Sequence, residues 1–374
     1  MKNNIDNYPD NAIKSFLRIE TPKIKDVPFY EIDTSKNLIT LYNPSDKKPS
    51  DRSSTFELDK IFTNENENSY IFEEICLNTI KDCLEGFSYS FISYGETASK
   101  KIDVLIGNIE DSISNINHRG IYPRLLEGLM KKIKRNEIKE NKFNLSMSFF
   151  MVYKNNLIDL SVLKDIDNNN INRNILFSKA FTIKNETDII NNMSKIKIGK
   201  IEEHLLFINK ILSAVSNIEK NSKENIFSDS HICLVLYLTN KQNNKIIKTS
   251  NISFILLNGS EYLYSSETGK LVSQEENSNI INKKVVEGAK KNLETQFTFE
   301  TVYNCLKSVK CLDNEIYKKY NINKKENFLF SNLTTVLYNI CFADDIEKIK
   351  FRIIGTIYPN TGFHQTVKDT VLFL

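Results

Sequence analysis

The chain has 374 residues, of which 40% are hydrophobic and 26% charged, so it can bury a sizeable core. Its formal net charge of +3 is too small to indicate a nucleic-acid-binding surface by itself. No apolar run reaches the roughly 18 residues of a membrane helix, and the N-terminus lacks the apolar core of a signal peptide. Neither a nucleic acid nor a membrane is therefore an expected partner.

Along the chain, runs rich in β-branched and aromatic residues predict strands, and apolar residues at helical spacing predict helices between them. The predicted strands are Ala12–Ile19, Gly86–Tyr94, Asn144–Tyr153, His231–Leu238, Ile252–Leu257 and Lys350–Tyr358. The first predicted helix carries one apolar stripe that Gly86 ends, formed by Ile71, Ile75, Leu77, Ile80 and Leu84. Further helices are predicted at 121–135, 200–218 and 298–309. This alternation predicts an α/β layered domain around a central sheet.

The domain boundaries follow from what the sequence lacks. There is no internal repeat and no clear interdomain linker, which predicts one domain over residues 12–374 after a disordered tail over residues 1–11. Six cysteines lie in apolar stretches without a C-x-x-C pair, and none of the four histidines stands at metal-ligand spacing to a cysteine. We therefore expect reduced, buried thiols in an intracellular protein and no bound metal.

The stretch GFSYSFISYGETASKKIDVLIG, residues 86–107, is close to a phosphate-binding loop. Such a loop needs glycines where the backbone approaches phosphate, a lysine for the terminal phosphates and a hydroxyl that ligates magnesium. Gly95 directly follows a predicted strand, and Lys101 supplies the lysine. However, Lys100 stands where a glycine is needed, and Ile102 stands where the hydroxyl is needed. Taken alone, the fragment is equally compatible with a chance match.

Other segments of the chain extend the pattern in a fixed order. They read STFELDKIF, GIYPRLLEGL, FNLSMSFFMVYKNNLIDL, FSDSHICLVLYL, FILLNGSE, FSNLTTVL and TVKDTVLFL. Together with the loop, they resemble the kinesin motor domain in order and spacing over nearly the whole chain. The resemblance implies the kinesin motor fold, a three-layer α/β/α domain with a central, mostly parallel, eight-stranded twisted sheet.

The resemblance also implies which residues face the nucleotide. Carried over position by position, they are Gly95, Thr97, Ser99, Lys100, Lys101, Ser228, Ser230, Gly259, Glu261 and Arg18. Ser228, Ser230 and Lys101 also have an ordinary structural interpretation. The serines would cap local backbone, and Lys101 would be a solvated lysine.

The departures from the family pattern concentrate on this site. The magnesium hydroxyl becomes Ile102, and the aspartate behind the magnesium becomes Leu256. The first-switch arginine becomes Asp229, so its expected partner Glu261 would meet a like charge. Near the adenine, Glu20 replaces the second arginine of the family's R-x-R-P. We therefore predict no catalytic residues, no metal ligands and no cofactor.

The resemblance implies a microtubule or another cytoskeletal protein, including an active kinesin, as the partner in the cytoplasm. Four lysines in one loop are the candidate tubulin contacts, since tubulin is acidic, but a solvated loop would look the same. They are Lys318, Lys319, Lys324 and Lys325. In a later segment, the family has basic side chains at the positions of Leu329, Asn332 and Thr335.

Three functions follow from these features. The first is a pseudo-motor, which binds its partner without productive hydrolysis of MgATP. The second is a divergent but active microtubule-stimulated ATPase, which would bind ATP or ADP with magnesium. The third is an adaptor that binds neither nucleotide nor tubulin.

Overall fold

The computed structural model describes most of the chain in separate stretches. These are residues 13–20, 29–43, 53–96, 99–108, 111, 115–136, 141–153, 156–167, 171–178, 180–181, 193–222, 226–227, 230–242, 245–258, 333, 335–336, 340, 348–359 and 364–374. The predicted tail at 1–11 and the predicted helix at 298–309 lie outside the described residues.

Thirteen strands are described, and ten of them form one sheet with the order β5-β1-β13-β6-β12-β11-β7-β8-β9, with β10 paired to β7. The remaining three form a small sheet with the order β2-β3-β4. Their bounds are β1 Ile13–Ile19, β2 Tyr30–Asp33, β3 Leu38–Leu41, β4 Ser54–Glu57, β5 Lys60–Thr63, β6 Ser88–Gly95, β7 Asn141–Tyr153, β8 Asn156–Asp159, β9 Ala180–Phe181, β10 Ile196–Lys197, β11 His231–Gln242, β12 Lys245–Leu256 and β13 Ile349–Ile357. All six predicted strands are confirmed, but β12 begins seven residues earlier than predicted and β11 ends four residues later.

Seven α-helices are described. They are α1 Asn68–Ile75, α2 Thr79–Glu85, α3 Lys101–Leu105, α4 Ile121–Asn136, α5 Arg173–Ser178, α6 Ile201–Lys220 and α7 His364–Phe373. Short 3-10 turns lie at Ile116–His118 and Ser161–Leu163. Within the described residues, no helix is long and apolar enough to span a lipid bilayer.

Only one half of the large sheet is parallel. Strands β5, β1, β13, β6 and β12 run parallel to one another, while every pairing from β12–β11 onward through β7, β8, β9 and β10 is antiparallel. The predicted α/β fold class is confirmed, but the sheet has ten strands and the expectation of a mostly parallel sheet was wrong for this half. The reason is chain connectivity, since two residues separate β11 from β12 and so short a link permits only an antiparallel hairpin.

Helices cover both faces of the sheet. On one face, the ring of Phe254 from β12 packs edge-on against Tyr122 from α4 at a centroid distance of 5.0 Å. On the other face, Val367 and Val371 of α7 are buried in a cluster with Ile357 of β13. Strand β6 lies between these layers and is buried at all eight residues, as expected for a parallel strand covered on both faces.

The first predicted helix is interrupted. Asn78 adopts a left-handed conformation with φ 67°, so the segment forms α1 and α2 in place of one helix. Leu77, assigned to the apolar stripe, is 70% exposed beside this break. That assignment was wrong because a left-handed residue redirects the chain and shifts the helical phase. Gly86 does end α2, as predicted, with φ 102°.

The described cysteines and His204 belong to the core. Cys76, Cys83 and Cys233 are buried thiols, as predicted. His204 of α6 is 5% exposed and its Nε2 shares a hydrogen bond with the hydroxyl of Tyr122. Burial, together with the nearby charge of Lys164, lowers the pKa of His204 to about 4. The imidazole is therefore neutral at pH 7 and belongs to the core.

Acid should weaken the fold through His204. Its pKa in the folded chain lies below the ordinary value, so the unfolded chain takes up the proton first as the pH falls below about 6.5. We expect the free energy of unfolding to drop by about 2 kcal/mol from this group between pH 7 and pH 5. Urea unfolding at both pH values should show a smaller drop for His204→Gln than for the wild type.

The matched control for this experiment is His118→Gln, because the His118 side chain is 46% exposed. This variant keeps the buried His204, so its drop between pH 7 and pH 5 should exceed that of His204→Gln. Equal pH dependence in His204→Gln and the wild type would contradict the role given to His204.

Candidate functional site

The candidate site lies where the carboxyl ends of four parallel strands meet. Strands β1, β13, β6 and β12 are consecutive neighbours in the sheet and all parallel, so they end at the same edge. Ligands of open α/β sheets bind at such carboxyl edges. We call the stretch from Gly95 to Lys101 the loop; it connects the end of β6 to the start of α3. This strand–loop–helix order is the one that the sequence predicted.

Gly95 packs against the backbone of the neighbouring strand. A Cβ atom at this position would lie 1.9 Å from the carbonyl oxygen of Thr356, 2.6 Å from its Oγ1 and 2.9 Å from Oγ of Ser99. The residue also has φ +154°, where side chains are rarely found. Only glycine fits here, because any side chain would push β6 and β13 apart.

Two further side chains attach the loop to β13. The hydroxyl of Ser99 is fully buried, donates to the carbonyl oxygen of Glu96 at 2.6 Å and shares a 2.7 Å hydrogen bond with Oγ1 of Thr356. The carboxylate of Glu96, also fully buried, accepts a hydrogen bond from the amide of Tyr358. The sequence analysis assigned Ser99 to the nucleotide, but missed Glu96 and Thr356, for which no local pattern gives a signal.

The lysine of the loop is turned back onto its own backbone. Nζ of Lys101 donates to the carbonyl oxygen of Gly95 at 2.9 Å. The carbonyl oxygen of Lys101 in turn accepts from Oγ of Ser93 at 3.3 Å. Both ends of this residue are thus engaged with β6, which fixes the first turn of α3.

Lys100 has an acidic partner in the residue that directly follows β1. Its backbone is left-handed, with φ 56° and ψ 35°, and its Nζ lies 3.2 Å from Oε2 of Glu20. The other oxygen of Glu20, Oε1, lies 2.9 Å from NH2 of Arg18. Glu20 is only 5% exposed, and these two cations compensate for the loss of water around its carboxylate. The structure therefore brings Arg18 and Lys100 together, as the sequence predicted, but through a carboxylate.

Arg18 and α3 are connected through a side chain of α1. NH1 of Arg18 donates to Oδ1 of Asn68 at 3.2 Å, and Nδ2 of Asn68 donates to the carbonyl oxygen of Asp103 at 3.3 Å. Burial raises the pKa of the Asp103 carboxyl, while the charges of Arg18 and Lys100 oppose the rise. With Lys101, three basic and two acidic side chains consequently lie around the start of α3. Asn68 and Asp103 were not recognised in the sequence.

Two apolar residues, Ile102 and Leu256, stand where the family pattern has groups that hold magnesium, and both contact the core. Ile102 is half-buried and packs against the main hydrophobic cluster, to which Leu256 belongs with 6% exposure. Leu256 pairs with Ser93 in the parallel register between β12 and β6. Neither side chain carries an oxygen or nitrogen atom, so these positions do not fit a magnesium ion, which prefers oxygen ligands.

A model of the kinesin motor domain family matches residues 21–287 of this chain, which is well over half of its length. This chain belongs to the kinesin family. Kinesin-like protein KIP1 of Saccharomyces cerevisiae is 24% identical over 273 residues, covering 66% of this chain and 23% of that protein. Kinesin-related protein 7 of Dictyostelium discoideum is 29% identical over 206 residues, covering 54% of this chain and 15% of that protein. The chain therefore spans less than a quarter of the length of these two relatives.

The fold agrees with this assignment. The solved structure of a fast kinesin superimposes with a TM-score of 0.66 at 17% identity and covers 97% of this chain and 90% of that chain. At this identity the likeness concerns the fold, and the predicted kinesin motor fold is confirmed.

The segment that resembles the family's first switch has one predicted residue, Ser230, within the described part of the chain. The hydroxyl of Ser230 donates to the carbonyl oxygen of Ile226, and its amide donates to that of Phe227 at 3.2 Å. Next to it, Nδ1 of His231 accepts from the amide of Asn258 at 3.1 Å, which joins the start of β11 to the end of β12. Ser230 is buried and thus takes part in local backbone capping.

Several predicted residues of this kinesin lie outside the described residues. For the nucleotide they are Thr97, Ser228, Asp229, Gly259 and Glu261, and for tubulin they are Lys318, Lys319, Lys324 and Lys325. Thr335 is described and is 7% exposed.

Replacing Gly95 by alanine should destabilise this head strongly. The added Cβ would overlap the Thr356 carbonyl oxygen, which is a backbone atom and cannot rotate away. We expect a loss of about 3 kcal/mol or more in the free energy of unfolding, measured by urea denaturation. Gly199→Ala is the control, because a Cβ there meets nothing within 4 Å and should change stability by less than about 0.5 kcal/mol. Equal losses in both variants would contradict the role of Gly95.

Proposed function

We propose that this chain is a kinesin pseudo-motor, a head that binds microtubules or another cytoskeletal partner without productive hydrolysis of MgATP. The observation that carries the proposal is that protein groups already hold the basic side chains of the loop. Lys101 donates to Gly95, and Lys100 pairs with Glu20. A polyphosphate would have to displace these contacts before it could use either cation.

The charge balance supports the same conclusion. Arg18, Lys100 and Lys101 bring three positive charges to this edge of the sheet, and the carboxyl groups of Glu20 and Asp103 lie among them. Polyphosphate sites depend on an excess of positive charge and on backbone amides that face the ligand. The carboxyl groups offset part of the positive charge here and weaken the electrostatic attraction for ATP.

The positions at which the family pattern has magnesium ligands also support the pseudo-motor. Magnesium bridges the β- and γ-phosphates and neutralises the charge that develops in phosphoryl transfer. Ile102 and Leu256 offer it no ligand and pack against the apolar core instead. From the sequence, Asp229 would also stand opposite Glu261, so that closing the two switches would bring two like charges together.

The partner follows from family membership. A head that does not hydrolyse ATP can still keep the surface through which kinesins contact the cytoskeleton, and it would act in the cytoplasm as a binding module. The lysines at 318, 319, 324 and 325 provide a basic segment suited to an acidic filament surface. An active kinesin is a further partner of the same class.

One observation favours the alternative of an active, divergent ATPase. Gly95, Ser99 and Lys101 retain the family identities, and the strand–loop–helix geometry around them is intact. An active ATPase would bind ATP in a manner that depends on magnesium and on Lys101.

Calorimetry with ATP separates these two functions. The pseudo-motor should give no binding, or weak binding that magnesium does not change, because the metal positions are apolar. We expect Lys101→Ala to leave this result unaltered, since Nζ of Lys101 is engaged with Gly95. An active kinesin head in the same assay is the positive control. Magnesium-dependent binding that Lys101→Ala abolishes, or ATP hydrolysis that microtubules accelerate, would overturn the pseudo-motor.

Co-sedimentation tests the cytoskeletal partner. We expect the chain to pellet with microtubules without added nucleotide and to dissociate as salt rises, because the contacts are electrostatic. Alanine at the four candidate lysines (318, 319, 324 and 325) should weaken binding by roughly tenfold.

The matched control removes the same charge elsewhere, by alanine at four exposed lysines of α4 and β12. These are Lys132, Lys134, Lys245 and Lys248. Binding should be close to that of the wild type. Equal weakening in both variants would mean that the four candidate lysines are not specific contacts.

A further inference from the structure

The side chains around the loop form one closed ring of contacts. The ring runs from the carbonyl oxygen of Asp103 to Asn68 at 3.3 Å, from Asn68 to Arg18 at 3.2 Å, from Arg18 to Glu20 at 2.9 Å and from Glu20 to Lys100 at 3.2 Å. Lys100 immediately precedes α3, which contains Asp103, so the ring closes through this helix. It ties together the end of β1, the start of α1 and the loop.

Glu20 is the acidic member at the centre of this ring. Its amide donates to the carbonyl oxygen of Ile357 at 2.9 Å, which continues the β1–β13 pairing and fixes its position. Its side chain is 7% exposed, and its two oxygens each face a different cation. Burying a carboxylate without compensating partners is costly, and these two contacts hold Arg18 and Lys100 beside Glu20.

The two members of the Glu20–Lys100 pair are both departures from the kinesin pattern identified in the sequence. The family has an arginine at the position of Glu20 and a glycine at that of Lys100. Lys100 adopts the left-handed conformation that suits a glycine, despite its side chain. Its Nζ nevertheless reaches a residue that is 80 positions earlier in the chain and compensates the buried charge. The two departures are therefore coupled through one contact.

We propose that Glu20 is an internal counterion, which pairs with Lys100 and Arg18 and thereby keeps both cations from binding polyphosphates. We call the Arg18–Glu20–Lys100 group the latch. This inference rests on the proposed pseudo-motor function and names what keeps the nucleotide site closed. Without the carboxylate charge, Arg18 and Lys100 would add to Lys101 and give this edge of the sheet an excess of positive charge.

The test uses inorganic tripolyphosphate without magnesium as the probe, and the complete chain. The isosteric variant Glu20→Gln removes the negative charge and keeps the size of the side chain. We expect calorimetry to show binding that is roughly tenfold or more tighter than in the wild type, because a charge that opposes the ligand within a few ångströms is lost. The thermal midpoint of the variant should rise with tripolyphosphate, while that of the wild type should not.

Three further variants make the test specific. Adding Lys100→Ala to Glu20→Gln should cancel most of the gain, since Lys100 is the more exposed of the two cations that Glu20 releases. Glu20→Asp keeps the charge but shortens its reach to Lys100, so it should give an intermediate gain and serves if Glu20→Gln fails to fold. Glu31→Gln removes an exposed carboxylate from β2 and should bind tripolyphosphate as the wild type does.

The latch is overturned if Glu20→Gln and Glu20→Asp bind tripolyphosphate no better than the wild type, or if Glu31→Gln gains as much as Glu20→Gln. It is also overturned if the gain persists in the variant that lacks Lys100. The failure of the pseudo-motor has a different signature, which is ATP hydrolysis by the wild-type chain. The two results are measured on different variants with different ligands, so either proposal can fail alone.

Discussion

The close packing of the Gly95 backbone against the carbonyl oxygen of Thr356 is the constraint on which the site depends. It brings the end of β6 against β13, the strand that lies between β6 and β1. Ser99 and Glu96 then bond to the same end of β13. The protein itself therefore sets the position of the loop, and the basic residues that follow start from a fixed backbone.

Given that fixed loop, the buried carboxylate of Glu20 decides the electrostatics. A buried negative charge needs cations nearby, and Arg18 and Lys100 are within 3.2 Å of it. A polyphosphate would need these same cations, so it competes with Glu20 for them. Since the Lys100 side chain is 58% exposed, solvent weakens its part of the attraction, whereas Arg18 and Glu20 are shielded from water.

The apolar side of the site is consistent with this competition. Ile102, the second residue of α3, contacts the hydrophobic cluster to which Leu256 at the end of β12 belongs. Filling these positions with apolar side chains stabilises the core and removes oxygen atoms from the vicinity of the loop. In the proposed pseudo-motor, charge neutralisation and apolar packing thus act together, and agreement between separate features is typical of a sequence that specifies one state.

The sequence by itself determined six of the thirteen described strands, the loop between β6 and α3, and the kinesin family, because these depend on local patterns in a fixed order. It also placed Arg18, Gly95, Ser99, Lys100 and Lys101 at one site, and the structure brings all five to one edge of the sheet. The tertiary structure alone decided the partners of these residues: Glu20 meets Lys100, and Ser99 meets Thr356 across 257 positions. It also decided the break at Asn78 and the antiparallel half of the sheet. Local sequence patterns report the preferences of neighbouring residues, whereas an ion pair or a backbone contact between distant residues exists only once strand order and register place them together.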